Sequence, residues 1–285
     1  MHPVIYLNKS MVEATKARVA PVSSAMLYGR GVFTTLAIYN TKPFQWEKHW
    51  QRLANHAEKL NVDLTGCTKE SVGEGLQKLI AVNQVKDGRA RIIFLARSGQ
   101  ETWKPKTTNA KKTDLLIMTG DVHNVPASGL SLAVSPYRIN TASPTTGIKS
   151  LNYLDRILSR DEARSRDFDE AVVLNERGEI ASATTANIFW ARNGTLHTPT
   201  LSSGALAGVT RECVVEIAEK HFIPLLEGVY EMNDLTEADQ IFLTSSVIGV
   251  APVTTFDFRR YGLEAGSVGG IIREAFAKLT TGGVS

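Results

Sequence analysis

Residues 147–153 read Gly-Ile-Lys-Ser-Leu-Asn-Tyr and set Lys149 in a short turn ahead of a predicted helix. The four residues before this lysine are Thr-Thr-Gly-Ile, so the local sequence has too few charges to be an ordinary solvated face. Residues 182–190 begin 33 residues after the lysine and read Ser-Ala-Thr-Thr-Ala-Asn-Ile-Phe-Trp. Their β-branched and aromatic content predicts a strand that includes Asn187. These two stretches decide the interpretation of the rest of the chain.

The remaining sequence alternates helical and strand patterns over 285 residues, which predicts an α+β fold with two domains. Residues 1–119 are predicted to form a small α/β domain, with a strand at 32–39, an amphipathic helix at 46–60 and a second helix at 69–82. Residues 120–129 contain proline and glycine without periodicity and are predicted to be an interdomain linker. Residues 130–285 are predicted to form a larger β-rich domain with surrounding helices, the first of them at about 151–166.

Composition excludes several classes of function. The chain is 43% apolar and 21% charged, as in ordinary globular proteins. Its net charge of +3 is spread along the sequence, so nucleic acid is not an expected partner. Apolar runs fall far short of the ~20 residues that span a bilayer, and the N-terminus lacks a signal-peptide pattern, so we expect no membrane association and a cytoplasmic location. The six histidines show no ligand spacing, so no metal site is expected.

Five sequence blocks, in a common order, resemble the class IV aminotransferases, which are the fold-type-IV pyridoxal-phosphate enzymes. The blocks are residues 28–35, 49–53, 147–149, 187–189 and 208–211. The family includes branched-chain and D-amino-acid aminotransferases and aminodeoxychorismate lyase. The resemblance implies a two-domain fold of type IV, pyridoxal 5'-phosphate as cofactor, the second domain as its main binding domain, and a homodimer.

The resemblance also implies roles for individual residues. Lys149 would be the catalytic residue, forming a Schiff base with the cofactor and moving the substrate's α-proton. A phosphate dianion is best bound by a guanidinium group and by N–H groups at a helix start. The residues implied as cofactor ligands, besides Lys149, are Arg52, Tyr153, Ser182, Asn187, Gly208, Val209, Thr210 and Ser246. For Tyr153 the implied partner is the cofactor's phenolic oxygen, and packing in the core is the alternative.

Ser182 departs from the family pattern. In the family, a carboxylate five residues before the strand asparagine keeps the pyridine nitrogen protonated, which makes the ring a strong electron sink. Counting back five residues from Asn187 reaches Ser182, and a serine is neutral. Glu179 lies three residues earlier, an offset that points to the opposite face of a strand, so we interpret it as a solvent-facing turn residue. A gap in the alignment would instead give the role to Glu179.

Three reactions are compatible with these residues. The first is transamination between an amino acid or amine and a 2-oxo acid, which we favour. The second is the aminodeoxychorismate lyase reaction, in which pyruvate is eliminated to give 4-aminobenzoate. Residues 34–35 and 186–190 resemble the lyase branch, whereas residues 244–246 resemble the aminotransferases. The third possibility, a non-catalytic protein of the same fold, is disfavoured because the lysine and the phosphate ligands are retained.

Substrate-binding residues are less clearly defined by the sequence. The D-amino-acid aminotransferases carry an Arg-X-His element after the third strand, and here Arg97 is followed by Ser-Gly, which weighs against a D-amino-acid substrate. Cationic candidates for a substrate carboxylate are Arg97, Lys104 and Arg138. Other candidates for the pocket wall are Tyr28, Trp103 and Ser245.

Overall fold

The computed structural model describes residues 1–97, 113–256, 259–262, 264 and 266–281. The chain divides into two compact units. The first unit comprises Met1–His123 together with Ile148–Asn152, and the second comprises Asn124–Gly147 together with Tyr153–Ser285. Each unit is built around its own sheet. Among the described residues, no helix has the length and apolar character needed to cross a bilayer.

The first unit contains an antiparallel sheet with six strands in the described part of the chain. In chain order the strands are β1 (Val4–Leu7), β2 (Ser10–Glu13), β3 (Gly31–Tyr39), β4 (Lys42–Pro43), β5 (Gly88–Ala96) and β6 (Thr113–Gly120). Their spatial order is β2-β1-β6-β5-β3-β4. β1 and β2, which have four residues each, are not among the predicted strands.

The helices of this unit are α1 (Ser24–Tyr28), α2 (Trp46–Lys59) and α3 (Lys69–Val82). The residues that α2 buries are His49, Leu53, His56 and Ala57, which lie three or four positions apart and therefore share one face. Thr68 caps α3, since its hydroxyl accepts the Ser71 N–H, while the Ser71 hydroxyl accepts the Thr68 N–H. The spacing that predicts α2 reflects this buried face.

Residues 148–152 belong to the first unit, although the sequence analysis placed them in the second domain. The Phe33 N–H donates to the Lys149 carbonyl at 3.0 Å, and the Leu151 N–H donates to the Gly31 carbonyl at 3.0 Å. An antiparallel bridge between Val32 and Ser150 lies between these bonds. The segment thus runs along the beginning of β3, while β4 pairs only with the end of that strand.

The sheet of the second unit contains nine strands within the described ranges. They are β7 (Leu130–Ile139), β8 (Glu170–Asn175), β9 (Ile180–Ala183), β10 (Asn187–Arg192), β11 (Thr195–Pro199), β12 (Leu225–Gly228), β13 (Gln240–Ser245), β14 (Gly249–Phe256) and β15 (Arg259–Arg260). The spatial order is β12-β11-β10-β13-β14-β7-β8-β9, with β15 paired to β14. The sheet is mixed, because β7 pairs in parallel with both β8 and β14.

The helices of the second unit are α4 (Leu154–Ser165), α5 (Val209–Lys220), α6 (Met232–Thr236) and α7 (Val268–Thr280). The start of α4 lies three residues after the predicted start at about residue 151. Leu151 is not helical, and its N–H donates to the Gly31 carbonyl of β3. α4 packs on β7 and β8, which places its inner face near β9, the strand next to β8.

Candidate active site

Two glycines make room for the segment that carries Lys149. A Cβ atom added to Gly31 would lie 2.5 Å from both the Leu151 Cδ1 atom and the Phe94 carbonyl oxygen. A Cβ atom on Gly29 would lie 2.3 Å from Asn152 Oδ1, and Gly29 also has a φ of +66°. The residues on the far side of Lys149 therefore pack directly onto the backbone around β3. This contact gives Asn152 a structural role, which the sequence analysis did not find.

The main chain of Lys149 is also held by a histidine. The Lys149 N–H donates to His56 Nδ1 at 3.1 Å, so this ring nitrogen is the acceptor and the ring hydrogen lies on Nε2. Burial lowers the pKa of His56 to about 4, and the charges of Arg52, Lys59 and Lys149 add to the effect. His56 is therefore neutral at physiological pH. His56 is not among the predicted site residues, although its spacing from His49 and Arg52 places it on the same side of α2.

Arg52 lies between the two histidines of α2 and contacts β3. Its Nη2 donates to the Thr34 hydroxyl at 3.0 Å, and the same hydroxyl lies 2.7 Å from His49 Nδ1. Burial lowers the pKa of His49 well below its ordinary value, with further lowering from the charges of Arg52 and Lys149. Because arginine can only donate, the Thr34 hydroxyl accepts from Arg52 and can donate its own hydrogen bond to Nδ1 of the neutral His49 ring.

These residues form one cluster, which we call the lysine cluster. Its members are Thr34, His49, Arg52, His56 and Lys149. The Lys149 ammonium lies 4.7 Å from the centre of the Phe33 ring, a cation–π distance. Both histidines are neutral, and the positive charges of Arg52 and Lys149 contribute to lowering their pKa values. The cluster is therefore suited to an anionic ligand.

In the second unit, the loop before α5 forms a helix start without a side-chain cap. Gly208 is the capping residue, and a Cβ atom there would lie 2.1 Å from Asn187 Oδ1. The Asn187 side chain also donates to the Leu206 carbonyl at 2.8 Å, so it holds the loop from β10. Val209 and Thr210 follow as the first helical residues and are buried. The N–H groups of this first turn and the helix dipole favour an anion.

The strand next to β10 carries the predicted serines. Asn187 pairs with Thr244 of β13. Ser245 ends β13, and its hydroxyl accepts the Val247 N–H at 3.4 Å. Ser246 follows directly and is partly buried. The structure thus places the residues around Asn187 and those before Ser246 on neighbouring strands of one sheet.

Ser182 lies on β9 and is paired with an arginine that the sequence analysis did not single out. Ser182 is 4% exposed. Arg156 of α4 donates from Nη1 to Ser182 Oγ at 2.8 Å and to the Ala183 carbonyl at 3.3 Å. Tyr153, the residue before α4, acts electrostatically on Arg156. The contact depends on tertiary packing of α4, which no local pattern of the sequence reveals.

Glu179 lies in the turn before β9, and its carboxylate is hydrogen-bonded to neighbouring residues. Its carboxylate accepts from Arg177 Nη2 at 2.7 Å and from Asn175 Nδ2 at 2.7 Å. The Arg177 hydrogen bond, followed by that from Asn175, lowers the pKa of Glu179. This arrangement agrees with the interpretation of Glu179 as a turn residue.

The predicted substrate residues are scattered over both units. Tyr28 is exposed at the end of α1, and Arg138 is exposed on β7. The Arg97 Nε donates to the buried carboxylate of Asp114 at 2.7 Å, so its charge has a partner within the first unit. Trp103 and Lys104 lie outside the described residues.

Comparison with known proteins identifies the family. The family model described as amino-transferase class IV matches residues 31–256. The chain belongs to the class IV aminotransferase family. The predicted family, the α+β fold of type IV and the assignment as an enzyme are thereby confirmed.

Individual relatives of this class IV protein carry different activities in their names. Aminodeoxychorismate lyase of Bacillus subtilis is 30% identical over 279 residues, which cover 96% of this chain and 94% of the relative. D-alanine aminotransferase of Listeria monocytogenes is 28% identical over 259 residues, covering 89% and 87%. The crystal structure of the branched-chain amino acid aminotransferase of Escherichia coli superimposes with a TM-score of 0.91 at 26% identity, covering 100% of this chain and 97% of the other.

Proposed function

We propose that this class IV protein is a pyridoxal-phosphate-dependent aminotransferase that moves an amino group between an amino acid or amine and a 2-oxo acid. The observation that carries the proposal is the lysine cluster, in which Lys149 lies with Arg52 among neutral, buried histidines. A phosphorylated aldehyde requires a positioned amine and nearby positive charge. Lys149, with its fixed main chain, supplies the amine, and the lysine cluster as a whole attracts anions. We assign Lys149 Nζ both the bond to the cofactor and the transfer of the substrate's α-proton.

The residues of each unit fit the chemical groups of pyridoxal phosphate. Its phosphate is a dianion, and the helix start at Gly208 offers N–H donors without a competing side-chain cap. The Thr210 and Ser246 hydroxyls and the Arg52 guanidinium are the further phosphate ligands that we propose. When bound, the cofactor supplies an aldehyde that condenses with amines and a ring that withdraws electrons.

The hydrogen bond from the Lys149 N–H to His56 has a mechanical role in this proposal. Together with the bonds from the Phe33 N–H to the Lys149 carbonyl and from the Leu151 N–H to the Gly31 carbonyl, it fixes the main chain before and after the lysine side chain. The amine then moves only by rotation of its own side chain. Such restriction favours repeated proton transfer over one short path.

Reductive trapping tests the role of Lys149. Purified protein is incubated with pyridoxal phosphate, reduced with borohydride and digested, and the modified peptide is identified by mass spectrometry. We expect the adduct on Lys149 in the wild type and in Lys59→Ala, a control at another lysine of the same unit, and its loss in Lys149→Ala. An adduct spread over surface lysines, or none at all, would refute the proposal.

Elimination is the second candidate, and two observations favour it. The lyase of Bacillus subtilis is as similar to this chain as the aminotransferases are, and Ser182 replaces a carboxylate expected of a strong electron sink. Parallel assays separate the candidates. Formation of a new 2-oxo acid from an amino donor supports transamination, whereas release of pyruvate and 4-aminobenzoate from aminodeoxychorismate supports elimination.

A further inference from the structure

We infer that Arg156 and Ser182 together hold the pyridine nitrogen of bound pyridoxal phosphate in its unprotonated form. The inference rests on the proposed function, because it requires the cofactor. It also takes Ser182 as the residue facing the ring nitrogen, the position implied by its distance in sequence from Asn187. Arg156 acts through Ser182 and is therefore a positioning residue.

Hydrogen-bond chemistry determines what Ser182 can offer. Arginine is protonated at all physiological pH values and has only donors, so the Ser182 oxygen must accept in the 2.8 Å bond from Arg156. A serine hydroxyl has one hydrogen, and this bond leaves that hydrogen available to donate. Ser182 is 4% exposed, so bulk water is largely excluded from it. The natural acceptor is the lone pair of an unprotonated pyridine nitrogen.

The charge of Arg156 acts in the same direction. A protonated ring nitrogen bound to Ser182 Oγ would place a second cation across one oxygen atom from the guanidinium. Like charges at such separation disfavour the protonated form. A carboxylate in place of Ser182 would do the opposite, since it is an acceptor with a negative charge.

The other charged groups near Arg156 do not supply that carboxylate. Glu170 and Asp155 act on Arg156 electrostatically, as does Tyr153. The Glu170 oxygens accept from the hydroxyl groups of Thr184 and Thr185, the latter at 2.8 Å. Glu170 is therefore bonded to the two threonines that follow β9, and from there its charge balances that of Arg156.

The protonation state has a chemical consequence. A neutral pyridine ring withdraws electrons less strongly than a pyridinium, so it stabilises negative charge at the substrate's α-carbon less. Reactions with a strongly stabilised product depend less on electron withdrawal by the ring. The pair thus contributes to the choice of reaction by setting the protonation state of the ring.

Nuclear magnetic resonance of the bound cofactor tests the inference directly. The protein is loaded with pyridoxal phosphate labelled with ¹⁵N in the ring, and the shift is followed from pH 6 to pH 9. We expect the wild-type resonance at the position of an unprotonated pyridine throughout. In Arg156→Gln, which retains an N–H donor but lacks the charge, the resonance should move toward that of pyridinium at low pH. Arg164→Leu, at an exposed arginine of the same helix, should match the wild type.

The outcomes separate this inference from the proposed function. A pyridinium resonance in the wild type, with borohydride trapping at Lys149 intact, would overturn the role of Arg156 and Ser182 alone. Absence of trapping would overturn the proposed function. The wild-type spectrum decides the question even if a variant fails to fold, and identical spectra for Arg156→Gln and Arg164→Leu would also contradict the inference.

Discussion

At the scale of single residues, the neutral histidines of α2 link protonation to the position of Lys149. His56 accepts the Lys149 N–H through Nδ1, so a proton on that nitrogen would abolish the bond. Burial and the neighbouring cations hold the pKa of His56 at about 4, below the value of about 6.5 of an unperturbed imidazole. The hydrogen bond that holds the Lys149 main chain therefore forms only at pH values above about 4, the pKa of His56.

The same pKa predicts how stability depends on pH. Unfolded His56 takes up a proton as the pH falls through about 6.5, while folded His56 does so only near pH 4. The unfolded state thus binds more protons in this window, and the free energy of unfolding falls as the pH falls from 6.5 to 4. At about 1.4 kcal/mol per pH unit, His56 contributes about 3 kcal/mol to this loss.

His56→Asn isolates that contribution. The amide oxygen of asparagine can accept the Lys149 N–H as Nδ1 does, but it has no proton to gain in this range. Urea unfolding from pH 4 to pH 8 should therefore give a flatter profile for the variant than for the wild type. His221→Asn, at an exposed histidine, serves as control and should retain the wild-type slope. Equal slopes for both variants would contradict the prediction.

At the scale of secondary-structure elements, local patterns predicted what local contacts determine. α2 and α3 were predicted within one residue at each end because their apolar spacing reflects buried faces. The start of α4 was predicted three residues early, since the pairing of Leu151 with Gly31 joins segments far apart in sequence. Arg156 and His56 were missed for the same reason. Order and spacing of motifs predict Lys149 as the site lysine, whereas its neighbours required the tertiary structure.

The start of α5 gives a test of the proposed phosphate site. In Gly208→Ala the new Cβ would clash with the Asn187 side chain, which holds the loop through Leu206. We expect the displaced loop to weaken binding of pyridoxal phosphate by about tenfold or more, through loss of charge-assisted N–H donors. Binding of pyridoxal, which lacks the phosphate, should change little. Fluorescence titration with both compounds measures the difference, and equal losses would assign the defect to the fold instead.

At the scale of the whole molecule, the described residues contain a separate apolar core in each unit. The core of the first unit includes Leu76, Ile92 and Phe94, and that of the second includes Ile188 and Leu243. The chain passes between the units repeatedly, because residues 148–152 return to the first unit before α4 begins. The segment with Lys149 therefore depends on the first core for its stability, although its sequence neighbours belong to the second unit.

This dependence predicts which segments a core mutation destabilises. Leu76→Ala should destabilise the first unit by about 2–5 kcal/mol, the usual cost of a cavity left by a buried leucine. Hydrogen exchange followed by mass spectrometry should then accelerate more than tenfold in β5 and in residues 148–152, and much less in β10. Leu243→Ala, the matched truncation in the second core, should show the reverse. If residues 148–152 exchange faster in Leu243→Ala than in Leu76→Ala, the assignment of the lysine segment to the first core is wrong.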